Sequence, residues 1–225
     1  MREIIWDGMD GRARLLDGLR RVIDDDRVLD AVGAVPRDAF VPDALREFAW
    51  DDRALPIGCD QTISQPYVVA RMCELLELRG GERVLDVGTG SGYHAAVLAA
   101  MGAEVWSIER HAPLTEAAAA ALERAGITGI HLVVGDGCAG LPDHAPYDAI
   151  NVAAAADRLE DLDALRAQLA PGGRLVAPVG GADQRLVVVR REGPGWVSTD
   201  ADPVRFVPLV PDFPSPTGIF RRQGR

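Results

Sequence analysis

Four residues at alternate positions carry the first chemical signal: Asp86, Gly88, Gly90 and Gly92. They close the apolar run that begins at Val84-Leu85. They open into Tyr93-His94-Ala95-Ala96-Val97-Leu98, which contains good helix formers. That order predicts a buried strand, a tight turn and a helix N-terminus, which together lay a nucleotide-like ligand on bare backbone. Glycine is required there, because a side chain would hold the ligand off the main chain and some turn positions need φ > 0.

The ligand class follows from the neighbours. A dinucleotide fingerprint needs a small residue three positions after its second glycine, and that position is Tyr93. Asp86 stands two residues before the first glycine, at the strand's end. Its carboxylate would repel a pyrophosphate but suits a ligand bearing an ammonium and a sulfonium. S-adenosylmethionine (SAM) has both and no phosphate. A second acid, Glu109, ends the run Glu104-Val105-Trp106-Ser107-Ile108 and stands 19 positions after Gly90. A carboxylate about 20 residues on, at the tip of the adjacent strand, can accept from a ribose diol. Residues 84–110 are read as a SAM site.

Other residues add less. Gly135-Asp136-Gly137 follows the third expected strand of this region, where Asp136 can accept from the adenine amino group or simply form an Asp-Gly turn. Asp148, in the fourth, is expected to orient the sheet edge near the cofactor. His94, His111, His131 and His144 are scattered, none beside a nucleophile, and no cluster has metal-ligand spacing. Gln61-Thr62-Ile63-Ser64-Gln65-Pro66 is a polar loop before a helix. Ser64 or Gln65 is placed to cap that helix, and the loop equally suits an active-site wall.

These residues need a scaffold. The chain has 225 residues and is 48% hydrophobic, enough for one large α/β domain with appendages. Residues 11–32 read as helix, with Leu15, Leu19, Val22 and Ile23 on one stripe, interrupted by Asp24-Asp25-Asp26. Residues 55–66 lack periodicity. A helix over 67–78 turns Val68, Met72, Leu75 and Leu76 inward and ends at Gly80-Gly81. Strands are expected at 83–87, 104–109, 130–134, 147–152 and 173–179, and helices at 91–101, 112–125 and 158–170. This alternation predicts a doubly wound, mainly parallel sheet. A hairpin follows from Gln184 through Gly193-Pro194-Gly195 to Trp196-Val197-Ser198, then a last strand from Val204 to Leu209. The expected division is an N-terminal helical segment with the polar loop (1–80), a SAM-binding domain (81–210) and a Pro-rich tail (211–225).

Composition narrows the partners. Lys+Arg of 24 against Asp+Glu of 34 gives a net charge of -10, which argues against nucleic acid as the main partner. No uninterrupted apolar run is long enough to span a membrane, and Met1 to Asp7 lacks a signal-peptide core. Cys59, Cys73 and Cys138 show no C-x-x-C spacing, the usage of a reduced, cytoplasmic protein.

Taken together the motifs resemble the protein-L-isoaspartate O-methyltransferase family over nearly the whole chain. VPRDAFVP (35–42) is similar to its N-terminal signature, LPIGCDQTISQP (55–66) to its active-site loop and VLDVGTGSGY (84–93) to its glycine loop. GDGCAGLPDHAPYDAI (135–150) resembles its central signature and VRFVPL (204–209) its closing strand. The resemblance implies a Rossmann-like SAM-dependent methyltransferase fold with an N-terminal helical extension and an altered order of the last strands. It makes Ser64 the active-site serine and places Gln61, Thr62 and Ile63 along the cofactor edge. Gly88, Thr89, Gly90 and Glu109 are implied to hold SAM, with Asp136 and Gly137 near the adenine.

The implied reaction methylates the free α-carboxylate of L-isoaspartyl residues in damaged proteins or peptides. Departures from the family pattern occur at Cys59-Asp60, Leu141, Asn151 and Asp157-Arg158-Leu159-Glu160. The last segment is expected to border the cleft. With Asn151 it supports a rival reading, a carboxyl methyltransferase for one dedicated peptide. A SAM-binding regulator without catalysis is the rival from another class.

Overall fold

The sheet is organised by side-chain alternation. Val84 and Leu85, adjacent in the strand Arg83–Val87, fall into two different apolar clusters, one on each face of the sheet. A strand buried on both sides is what a continuous apolar run specifies. The computed structural model describes residues 10–210; the expected tail 211–225 and the first nine residues lie outside the described residues.

Two helices come first, α1 (Gly11–Leu19) and α2 (Asp26–Ala34), capped by Asp10 and Asp25. Two 3-10 turns, Arg37–Phe40 and Asp43–Phe48, lead to a short antiparallel hairpin, β1 (Leu55–Gly58) and β2 (Gln61–Ile63). Helix α3 (Pro66–Leu76) follows. Then β3 (Arg83–Val87), α4 (Tyr93–Ala100), β4 (Glu104–Glu109), α5 (Ala112–Ala125), β5 (Ile130–Val134) and β6 (Tyr147–Val152) alternate. After the short α6 (Asp163–Arg166) come β7 (Leu169–Val179), β8 (Gln184–Glu192) and β9 (Gly195–Val204). The seven-stranded sheet has the order β5-β4-β3-β6-β7-β8-β9. β3 to β7 run parallel, while β8 and β9 are antiparallel. The direction of winding reverses between β3 and β6, and the carboxyl ends of the strands at such a switch point form a ligand crevice. One apolar cluster joins Leu15 and Val32 to Met72, Ala96 and Val105, so the N-terminal helices share a core with the sheet.

Several elements differ from expectation. The chain leaves the helix after Leu19, so Val22 is 55% exposed while Leu15, Leu19 and Ile23 are buried. Helix α3 ends at Leu76, with Glu77 itself left-handed (φ 49), before Gly80-Gly81 is reached. The unpatterned stretch 55–66 contains a hairpin because Cys59 and Asp60 both adopt positive φ (50 and 56), the geometry of a two-residue type I′ turn. The helix expected over 158–170 shrinks to a 3-10 turn at Leu159–Leu162 and α6. Leu169 is claimed by the sheet, where it pairs with Tyr147, and Gln168 turns away to bond the Ala139 carbonyl and the Leu141 amide. The expected strand 204–209 is largely a strap. Its Val207 carbonyl and Leu209 amide bond Ala155, at the strand ends, while Gln184 takes both backbone groups of Phe206. Asp148 sits at the amino end of β6, bonded to the Arg83 amide, and so at the opposite end of the sheet from the crevice.

Candidate active site

A cleft of about 630 Å³ opens over the carboxyl ends of β3, β4 and β6. Its floor is Val87 to Ser91, one wall is Ile108 to His111, and the opposite walls are Gln61 to Gln65 and the strap Pro203 to Val210. The sheet thus joins sequence segments that are far apart in the chain.

The glycine loop is held by the acid expected to accompany it. Glu109 Oε2 accepts from the Gly90 amide at 3.0 Å, and Oε1 accepts from the His111 amide at 2.9 Å. Glu109 is buried, with 6% of the residue exposed, yet each oxygen retains acceptor capacity toward the cleft. Gly88 and Gly90 have φ of 94° and 53°, in the region that favours glycine. Gly137 is required by close approach: a Cβ there would lie 2.6 Å from Val87 Cγ1.

Asp86 occupies a different place from the one expected. It is fully buried beneath the loop and does not line the cleft. Asp86, Ser107 and Asn151 are register partners on three adjacent strands, so their side chains share a face. Ser107 Oγ and Asn151 Nδ2 each donate to Asp86 at 2.7 Å, Thr89 Oγ1 meets Ser107 Oγ at 2.6 Å, and Asn151 Nδ2 also reaches His94 Nδ1 at 3.2 Å. Burial pushes the Asp86 carboxyl up to about 6, against the pull of the two hydrogen bonds and with a contribution from Glu109. Asp86 therefore anchors the floor from below. Burial drives His94 down to about 3, so its imidazole is neutral. Asp136 also stays out of the cleft lining; its Oδ1 closes an Asp turn onto the Cys138 amide, while the adjacent Gly137 does line the cleft.

The polar loop supplies the other wall. Gln61, Thr62, Ile63 and Ser64 all line the cleft. Gln65 stands at the N-cap position of α3, but neither its side chain nor that of Ser64 makes the capping hydrogen bond. Asp52 does so from outside the helix, accepting from the Tyr67 amide at 2.8 Å and from Gln65 Nε2 at 3.0 Å. Ser64 is held through its carbonyl, which accepts from Arg37 Nη2 at 2.8 Å. Its hydroxyl makes no hydrogen bond to another described residue.

The departures at Asn151 and Asp157 to Glu160 do not border the cleft. Asn151 belongs to the buried polar row, and Asp157, Arg158 and Glu160 are exposed elsewhere. The rival reading loses its support. Sequence reasoning missed Ser107, Asp52, Arg37 and the strap. Only Ser107 carried a local signal, being a small polar residue on the same strand face as Glu109.

Backbone glycines, a loop-bonded carboxylate at the neighbouring strand tip and an acid in place of a cation beneath the loop define a SAM-dependent methyltransferase. The family model for Protein-L-isoaspartate(D-aspartate) O-methyltransferase (PCMT) matches residues 12–213. The chain belongs to this family. It is 53% identical over 212 residues to the protein-L-isoaspartate O-methyltransferase of Methylorubrum extorquens, covering 92% of each chain. It is 56% identical over 192 residues to that of Anaeromyxobacter dehalogenans, covering 84% of this chain and 91% of the other. A solved protein-L-isoaspartate O-methyltransferase is similar with a TM-score of 0.80 and 29% identity, over 88% of this chain and 65% of that longer one. A Plasmodium falciparum structure described as a putative enzyme of this kind, in complex with S-adenosyl-L-homocysteine, gives a TM-score of 0.75 and 26% identity. That match covers 90% of this chain and 99% of the other.

Proposed function

We infer that the chain transfers the methyl group of SAM to the free α-carboxylate of L-isoaspartyl residues in damaged proteins and peptides, initiating repair. The observation that carries this reading is one cleft walled by both the Gly88–Ser91 loop with Glu109 and the loop bearing Ser64. Gly88, Thr89, Gly90, Glu109 and Gly137 are proposed to hold SAM, with Gln61, Thr62 and Ile63 along its edge. Asp86 supports the loop from beneath, and Asp136 shapes the turn that presents Gly137. SAM supplies an electrophilic methyl group on a sulfonium centre.

The acceptor carboxylate is already ionised at pH 7, so no strong general base is needed. The neutral, buried His94 fits that requirement. What remains is orientation and exclusion of water, worth up to roughly 7–11 kcal/mol in ideal cases. Ser64 is proposed to donate its hydroxyl to the carboxylate and fix its approach, without acting as a nucleophile. The methyl ester formed is then attacked by the following backbone nitrogen, methanol leaves, and the succinimide produced can open to aspartate. No helix among the described residues is long and apolar enough to cross a membrane, and Cys59, Cys73 and Cys138, none of them in a disulfide among the described residues, support a cytoplasmic setting.

The test is methanol release from paired peptides that differ only in an isoaspartyl or aspartyl linkage. Release from the isoaspartyl member alone is expected. Equal release from both, or from neither, refutes the reading.

A further inference from the structure

Arg37 is among the largest side chains buried without measurable exposure, and no described carboxylate forms an ion pair with it. An arginine in such a place remains charged, although desolvation lowers its pKa from the ordinary value. A cation buried with no carboxylate in direct contact, Asp52 acting on it only from a distance, is costly, and an apolar side chain of similar volume would fill the space at less cost. The hydrogen bonds show what the guanidinium does instead. Nε donates to the Ala49 carbonyl at 2.9 Å, and Nη2 donates to the Ser64 carbonyl at 2.8 Å, with the Arg53 carbonyl at 3.5 Å. The guanidinium carbon lies 4.7 Å from the centroid of the Tyr93 ring. Tyr93 is the first residue of α4, directly after the glycine loop.

One planar group therefore touches the segment before the hairpin, the Ser64 backbone and the helix that carries the cofactor loop. We propose that Arg37 is a positioning residue, which fixes the Ser64 main chain against Tyr93 so that the Ser64 hydroxyl faces the cleft in register with the methyl donor. The proposal rests on the role assigned to Ser64 above. The fork geometry matters: a lysine keeps the charge but cannot span separate carbonyls from one plane. Chain positions 37, 64 and 93 lie far apart, and only the fold brings them together.

A double-mutant cycle tests the proposal. Arg37→Lys and Arg37→Gln are compared with the parent chain, with rates expressed per folded site counted by S-adenosylhomocysteine titration. Each is expected to lower kcat/KM on an isoaspartyl peptide about ten- to hundredfold, mainly in kcat, the scale of a misplaced reacting group. Affinity for S-adenosylhomocysteine should stay within about threefold, because Arg37 bonds to Ala49, Arg53 and Ser64 and makes no hydrogen bond to the glycine loop or to Glu109. In a Ser64→Ala background the effect of Arg37→Lys should shrink to nearly none. Fully multiplicative losses would overturn the proposal, as would unchanged rates in the single variants. Loss of ligand binding, or failure of both variants to fold, would also overturn it, because either makes Arg37 a support of the fold and not an orienting group. Undiminished turnover in Ser64→Ala alone marks failure of the Ser64 reading itself, and is read before Arg37 is altered.

Discussion

Asp52 Oδ1 accepts the Tyr67 amide at 2.8 Å, and this bond separates helix capping from the role proposed for Ser64. The two residues stand 12 positions apart. Asp52→Ala should cost about 1 kcal/mol of stability, as loss of a cap does. Ser64→Ala should leave the thermal midpoint nearly unchanged while lowering kcat/KM on an isoaspartyl peptide roughly tenfold to a thousandfold. Midpoints and initial rates of both variants settle the matter. A Ser64→Ala chain with a lowered midpoint and intact turnover would return Ser64 to the role of a structural residue.

Glu109 is the second point of leverage. Its carboxylate ties Gly90 to the start of α5, and a ribose diol would add to bonds already oriented. Glu109→Ala is expected to weaken SAM binding by about 1.5–3 kcal/mol, the scale of hydrogen bonds to a charged group. Calorimetric titration reads this directly. An unaltered dissociation constant would remove Glu109 from the cofactor site.

Gly137 makes a prediction about space. A methyl group there would meet Val87 Cγ1 at 2.6 Å, inside a fully buried strand. Gly137→Ala should destabilise by about 1–3 kcal/mol, or roughly 2–4 °C of thermal midpoint per kcal/mol for a chain of this size. Gly181→Ala, where nothing lies within 4 Å of the added carbon, serves as the control and should change little. Equal midpoints for the two variants would contradict the close approach.

Periodicity made the parallel core readable because β3, β4 and β6 are largely buried strands and α5 has an unambiguous length. The glycine loop and Glu109 were readable because both depend on local order along the chain. What escaped depends on pairing across the chain. Asp86 was assigned to the ligand, yet its Ser107 and Asn151 partners are set by strand register, which spacing in one strand cannot reveal. Ser64 kept two readings open because the capping carboxylate comes from Asp52, outside any capping pattern. The 158–170 helix failed because Leu169 gains more by pairing in the sheet, a competition that helix propensity does not include. Arg37 sat in a motif recognised as a whole, while its work depends on carbonyls from three other places.

The buried row under the glycine loop gives the last prediction, a pH dependence with a definite sign. Burial is the main cause that raises the Asp86 carboxyl from 3.8 to about 6; Ser107 and Asn151 oppose it and Glu109 adds to it. The folded chain therefore holds this proton more tightly than the unfolded chain does. Its contribution to stability is fully present below about pH 3.8 and is lost as pH rises through about 6. Asp86→Asn keeps the shape of the side chain but cannot ionise. Subtracting the variant's unfolding free energy from the parent's, pH by pH, cancels the remaining carboxylates they share. The difference should fall by about 2 kcal/mol between pH 4 and 7, from a shift near two pKa units, whatever its starting sign. That sign depends on how the new amide meets Asn151, whose Nδ2 now donates to both Asp86 and His94. Denaturant titrations at matched ionic strength across this range supply the measurement. A difference that stays flat, or that grows with pH, would mean that burial does not raise the Asp86 carboxyl in the folded chain.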